Sequence, residues 1–151
     1  MTPGQWITTG ALVAGLGAGV GTPTYWTFLQ ADPKVTACEA PYTNDGTGAH
    51  KQVFKPGETM FTQRNDMFAN KVTGPIQRAY LGDNGVIKTL DMIMPPKLTP
   101  DGVCSKANFA TVIPKDLPPG MYTYSVTVYM QKNPLQRAFA VPFAPVRIKV
   151  E

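Results

Sequence analysis

The chain has 151 residues, 43% hydrophobic and only 16% charged, with 14 glycines and 15 prolines. That length holds one domain with an appendage, and that mixture suits short strands joined by tight turns and excludes an all-helical fold. The net charge of +4 comes from basic residues scattered singly between Lys34 and Lys149, without the basic run that tracks a phosphate backbone, so nucleic acid is not the expected partner.

No charged side chain occurs from Met1 to Ala31. Read as a helix, this stretch sets Trp6 and Trp26 roughly 30 Å apart, the thickness of a hydrocarbon core, with an aromatic ring at each interface. Ala11, Gly15 and Gly19 recur every four residues, a spacing that lets a neighbouring backbone approach closely. Read as a strand, the same stretch places Leu12, Ala14, Leu16, Ala18 and Val20 on one face and the glycines on the other, a ribbon for a neighbouring subunit. Residues 1–31 are therefore expected to be an apolar anchor or arm. A secretory signal fits less well, because no Lys or Arg precedes the apolar core and the lipobox-like Val35 to Cys38 follows Asp32, Pro33 and Lys34. A dinucleotide-binding loop is excluded, since the glycines never give G-x-G-x-x-G.

Over residues 32–50 the composition turns to Pro, Asn, Asp, Gly and Thr without periodicity, which reads as a linker. Cys38 falls inside it and Cys104 in a loop after Asp101 and Gly102. One bridge between them is permitted, free thiols equally so, and neither state is expected to govern folding. The single histidine, His50, leaves a zinc site short of ligands and a Ser-His hydrolase with one choice of base. No cofactor or metal is expected.

From residue 51 to 151 the pattern is that of a β domain. Lys55, Pro56 and Gly57 turn the chain into a strand over Glu58 to Arg64. Val72 to Leu81 follows, with Gly74 and Pro75 marking its first half as an edge or bulge. Asp83, Asn84 and Gly85 signal a hairpin into Val86 to Met92. After a proline-rich loop come a strand near Asn108 to Ile113 and the longest clean alternation in the chain, which the turn at Pro118, Pro119 and Gly120 introduces. In it Tyr122, Tyr124, Val126, Val128 and Met130 share one face, as expected of a central strand. Segments around Arg137 to Val141 and Val146 to Val150 close the domain. Roughly seven strands in roughly 100 residues predict an all-β fold, an immunoglobulin-like β-sandwich preceded by the apolar Gly-rich segment.

Asp116, Gly120, Tyr122 and Tyr124 resemble the D-x-G-x-Y-x-C corner of immunoglobulin-like strands. In that reading Tyr122 holds the corner and bonds backbone upstream, Gly120 makes the turn into the strand, and Tyr124 stands where the second cysteine would be. The intersheet disulfide of antibody domains is then absent, and packing must join the sheets.

The motifs KPGE, VTGPIQRAYLGDNGVI, IPKDLPPGMYTYSVTV, NPLQ and APVRIKV, in that order from Lys55 onward, are similar to those of small tailed-bacteriophage proteins with an N-terminal apolar segment before one immunoglobulin-like domain. The resemblance implies a phage-encoded envelope or virion component and assigns no catalytic residue. The expected function is thus non-enzymatic, a structural or adhesive component located in the virion or host membrane, with other protein subunits and a membrane as partners. The alternative is a cellular envelope module that recognises a peptide or glycan. An enzyme is disfavoured, because Asp91, Asp101 and Asp116 are each explained as turn or loop-flanking residues.

Overall fold

The computed structural model describes residues 32–69, 74–94, 102–130 and 139–151, and every regular element within them is a β-strand. These are β1 (Lys34–Asn44), β2 (Val53–Phe54), β3 (Thr59–Ala69), β4 (Ile76–Gly82), β5 (Ile87–Ile93), β6 (Cys104–Val112), β7 (Gly120–Met130), β8 (Phe139–Pro142) and β9 (Val146–Val150). They form two sheets packed as a β-sandwich, one ordered β1-β3-β6 and the other β2-β9-β7-β4-β5, with β8 also on β7. No helix among the described residues is long and apolar enough to cross a membrane. The anchor or arm expected at residues 1–31 lies outside them.

β7 is the centre of the larger sheet because its alternation buries Tyr122, Tyr124, Val128 and Met130 on one face. One of its edges pairs antiparallel with β4 from Gly82 to Ile76. The other pairs with β9 along its first half and with β8 along its second, so β8 and β9 are two pieces of one edge, interrupted at Phe143 to Pro145. The Phe143 N–H donates to the Val126 carbonyl at 2.9 Å and keeps the two pieces aligned. Just before β4, a Cβ on Gly74 would lie 1.5 Å from the Tyr129 carbonyl oxygen. Only glycine lets β4 start against β7 there.

The interior divides into two apolar clusters. One gathers Phe54, Met60, Tyr80, Ile113, Leu117, Tyr122, Tyr124, Val146, Ile148 and Val150, and the other Phe68, Ile76, Val128, Met130, Val141 and Phe143. Val126 packs against both.

Three sequence expectations need correction. The stretch read as a linker over 32–50 contains β1, which pairs antiparallel with β3. Its composition hid it, because an edge strand that is mostly exposed, with Pro41 inside an irregular stretch of the pairing, buries too little for any period to show. The strand expected to end at Arg64 runs on to Ala69, since Arg64 and Asp66 point inward and break the apolar alternation.

The third correction concerns the cysteines. Cys38 and Cys104 are bridged, and they lie in β1 and β6 instead of a linker and a loop. β1 and β6 flank β3 on opposite sides, where a flat sheet would hold them about 9.5 Å apart. The pairing of β1 slips between Ala37 and Glu39, which frees Cys38 to bulge and brings its Cα to 6.2 Å from that of Cys104.

Because the bridge spans 66 residues of sequence, reducing it is expected to cost about 2 to 4 kcal/mol, read as a lower urea midpoint in reductant; an unchanged midpoint counts against that role. The buried Arg64 and Asp66 pair gives a second expectation: Asp66→Ala should cost about 3 to 5 kcal/mol, while Arg64→Met with Asp66→Leu regains most of it, both measurable in the same assay. Tyr80 gives a third. Its hydroxyl is buried without a hydrogen-bond partner, and burial pushes its pKa well above the ordinary value of 10.0. The folded state thus favours the neutral phenol, so this contribution to stability is present below about pH 10 and is lost as pH rises past it, where the unfolded chain ionises first. Tyr80→Phe should flatten the alkaline unfolding curve and leave stability at neutral pH equal or higher.

Candidate functional site

Along β3 the buried, inward residues are Met60, Thr62, Arg64, Asp66 and Phe68, so a polar belt crosses the sandwich between its two apolar clusters. Burying such groups is costly unless they find partners. Arg64 Nε donates to Asp66 Oδ2 at 2.8 Å, and Arg64 Nη1 donates to the Ala144 carbonyl at 2.9 Å. The guanidinium also lies 4.8 Å over the Phe143 ring, a cation–π contact strengthened by desolvation. Phe143 and Ala144 belong to the break between β8 and β9. Arg64 therefore joins the two sheets.

Across the interior, β7 contributes Tyr124 and β4 contributes Arg78. The hydroxyls of Tyr124 and Thr111 are 3.0 Å apart, linking β7 to β6. Arg78 Nη2 donates to the Asp91 carbonyl at 3.3 Å. Burial raises the pKa of Tyr124, and the hydrogen bond with Thr111 and the guanidinium groups of Arg78 and Arg64 pull the other way.

These side chains surround a cavity of about 60 Å³ between the sheets, room for several water molecules. Thr62, Arg64, Arg78, Thr111 and Tyr124 supply its polar lining; Ile76, Ile93, Phe109, Val126 and Phe143 supply apolar walls. Three atoms on its lining residues, Thr62 Oγ1, Arg64 Nη2 and Arg78 Nε, are buried without a hydrogen-bond partner. An arginine stays charged at any ordinary pH, and a phenol with a raised pKa stays neutral, so this set is suited to holding a negative group and poorly suited to moving protons.

A second, more polar groove of about 280 Å³ involves Glu39, Tyr42, Gln63, Asn65 and Lys106, beside the β1 bulge. Nearby, His50 stacks on Tyr42 with ring centroids 4.0 Å apart. Among the described residues no three His, Cys, Asp or Glu side chains converge as a metal site would require.

The residues singled out in the sequence fall elsewhere. Trp6, Ala11, Gly15, Gly19 and Trp26 lie outside the described residues. Tyr122 is fully buried at the start of β7, where its hydroxyl donates to the Pro118 carbonyl at 2.7 Å. Gly120 precedes it with a φ of +159°, close to extended backbone, and a Cβ there would meet Tyr122 and Asn84 at ordinary distances of 3.5 and 3.6 Å. Asp116 pairs with Lys88 at the surface. Sequence reasoning missed Arg64 and Arg78. A signal was present for both, since Met60 and Phe68 bracket Arg64, and Ile76 and Tyr80 bracket Arg78, at even spacing and so assign each the inward face of a strand.

No family model matches the chain, and no curated protein matches it. Among solved structures it is similar to a family 123 glycoside hydrolase from Clostridium perfringens, studied for glycolipid glycan hydrolysis, at 10% identity and a TM-score of 0.36. The match covers 80% of this chain and 27% of that one, so the chain spans well under half of the enzyme, and a likeness this slight carries no inference about activity.

Proposed function

We propose that this chain is a non-enzymatic structural component of a tailed-bacteriophage particle or of a phage-modified host membrane. In this reading residues 1–31 fasten an immunoglobulin-like sandwich to its assembly. The observation that carries it is the Cys38–Cys104 bridge. A load on residues 1–31 enters the domain at the start of β1, an exposed edge strand held by its ladder to β3. The disulfide passes that load covalently to β6, beyond β3. Such a bond persists in an oxidising compartment, as suits a protein displayed outside the cytosol.

The immunoglobulin-like assignment is supported by strand order and by the corner. β1, β3 and β6 take the places of strands A, B and E, while β4, β7 and β9 take those of C, F and G, with β5 added beside C as in variable-type domains. The Tyr122 hydroxyl bonds backbone four residues upstream, at Pro118, as a tyrosine corner does. Tyr124 stands in the second cysteine's place, and its hydroxyl contact with Thr111 joins the two sheets. Since many roles share this fold, the functional reading rests on the anchor and bridge together with the motif resemblance, and not on the sandwich alone.

The test is to fractionate infected cells and purified particles and follow the intact chain. It should be recovered with particles or with host membranes, and deletion of residues 1–31 should release it. Recovery of the intact chain in the cytosolic fraction would overturn the reading. Gly15→Leu with Gly19→Leu should preserve membrane partition, because leucine is the more hydrophobic residue, and should lower incorporation into particles or oligomers by blocking close backbone contact. If both quantities are unchanged, these glycines have no packing role.

A further inference from the structure

We propose that the intersheet cavity between Arg64 and Arg78 is a binding site for a small monocarboxylate with an apolar body. The two guanidinium groups line one space, and only one carboxylate, that of Asp66, is bonded to either of them among the described residues. Among the described residues, the Arg78 guanidinium thus has no carboxylate bonded to it. Arg64 is almost fully buried, with 4% of its side chain exposed, and its Nη2 has no partner; nor has Arg78 Nε. Buried donors left unpaired are expensive, most of all when charged, so the site is incomplete without an acceptor. Thr62 Oγ1, also unpartnered, supplies a neutral hydroxyl beside them.

The walls decide what kind of anion fits. Ile76, Ile93, Phe109, Val126 and Phe143 are apolar, so phosphate or sulfate would turn some of its oxygens against hydrocarbon. A carboxylate confines its charge to one end, matches the planar fork of a guanidinium, and leaves the rest of the molecule for the apolar wall. The volume of about 60 Å³ limits the ligand to roughly four to six non-hydrogen atoms. Ile93 of β5 and Phe109 of β6, the edge strands of the two sheets among the described residues, both belong to this lining.

Isobutyrate has the right size and shape, and isobutyramide is its uncharged counterpart. The full-length chain, kept in a neutral detergent and labelled at its isoleucine and valine methyl groups, would be titrated with each, and separately with inorganic phosphate. Isobutyrate should give saturable shifts at Ile76, Ile93 and Val126, about tenfold or more tighter than the amide, as expected for charge-assisted hydrogen bonds. Phosphate should not compete, and Arg78→Gln should weaken isobutyrate to the level of the amide. The proposal is overturned by the absence of saturable shifts, by equal binding of acid and amide, by stronger binding of phosphate, or by a folded Arg78→Gln protein that binds as the parent does. Should that variant fail to fold, the acid and amide comparison on the parent chain still decides.

Discussion

The interaction on which the architecture turns is the buried Arg64 guanidinium, which bonds Asp66 on its own strand and the Ala144 carbonyl on the opposite sheet while lying over Phe143. A buried ion pair returns little net stability, since desolvation consumes most of the attraction. What it contributes is position. Slipping β3 by one residue would carry Arg64 and Asp66 to the outer face and set Gln63 and Asn65 inside, leaving Ala144 unpaired. Fixing that register also fixes the break between β8 and β9, because the acceptor for Arg64 is part of the break.

The disulfide sets a second constraint, at one end of the molecule. β1 begins, β3 ends and β6 begins at that end, where Gly102 N–H donates to the Phe68 carbonyl at 2.8 Å. In the other sheet, β4 and β8 begin, and β5 and β7 end, on the same side. At the opposite end, backbone hydrogen bonds tie the connections at Thr43 to Lys51, Lys55 to Glu58, Gly82 to Val86 and Pro114 to Leu117. One end is thus closed by hydrogen-bonded turns, and β1, the first described strand, begins at the other, where Cys38 joins it to β6.

How much of this was readable depended on how each strand meets its surroundings. β7 and β9 were plain, because both alternate between a buried and a wetter face, and β7 follows a turn that Pro118, Pro119 and Gly120 announce. The hairpin at Asp83 to Gly85 was equally plain from turn chemistry alone. β1 was not, because a largely exposed edge strand with two irregularities in its pairing has no period to detect. β3 was cut short because the rule linking apolar residues to the inward face fails where the inward residues are Thr62, Arg64 and Asp66. The cavity was invisible for a different reason: Arg64 and Arg78 meet only through the packing of two sheets, and no local spacing encodes that.

The cavity itself follows from the way the polar belt is satisfied. Tyr124 turns its hydroxyl toward Thr111, and its ring packs on Tyr80 with centroids 5.0 Å apart. That draws the ring toward the cluster that includes Met60 and Ile148. Arg64 reaches the other way, over Phe143 and toward the cluster that holds Phe68 and Val141. Between them, Thr62 and Thr111 are too short to fill the gap, and Val126 only borders it. A longer aliphatic side chain at either threonine would close the space and exclude a ligand, and it would also remove a hydroxyl from the belt. The arrangement therefore couples two properties that an apolar core keeps apart: the polar contacts that join the sheets are the same ones that hold the interior open.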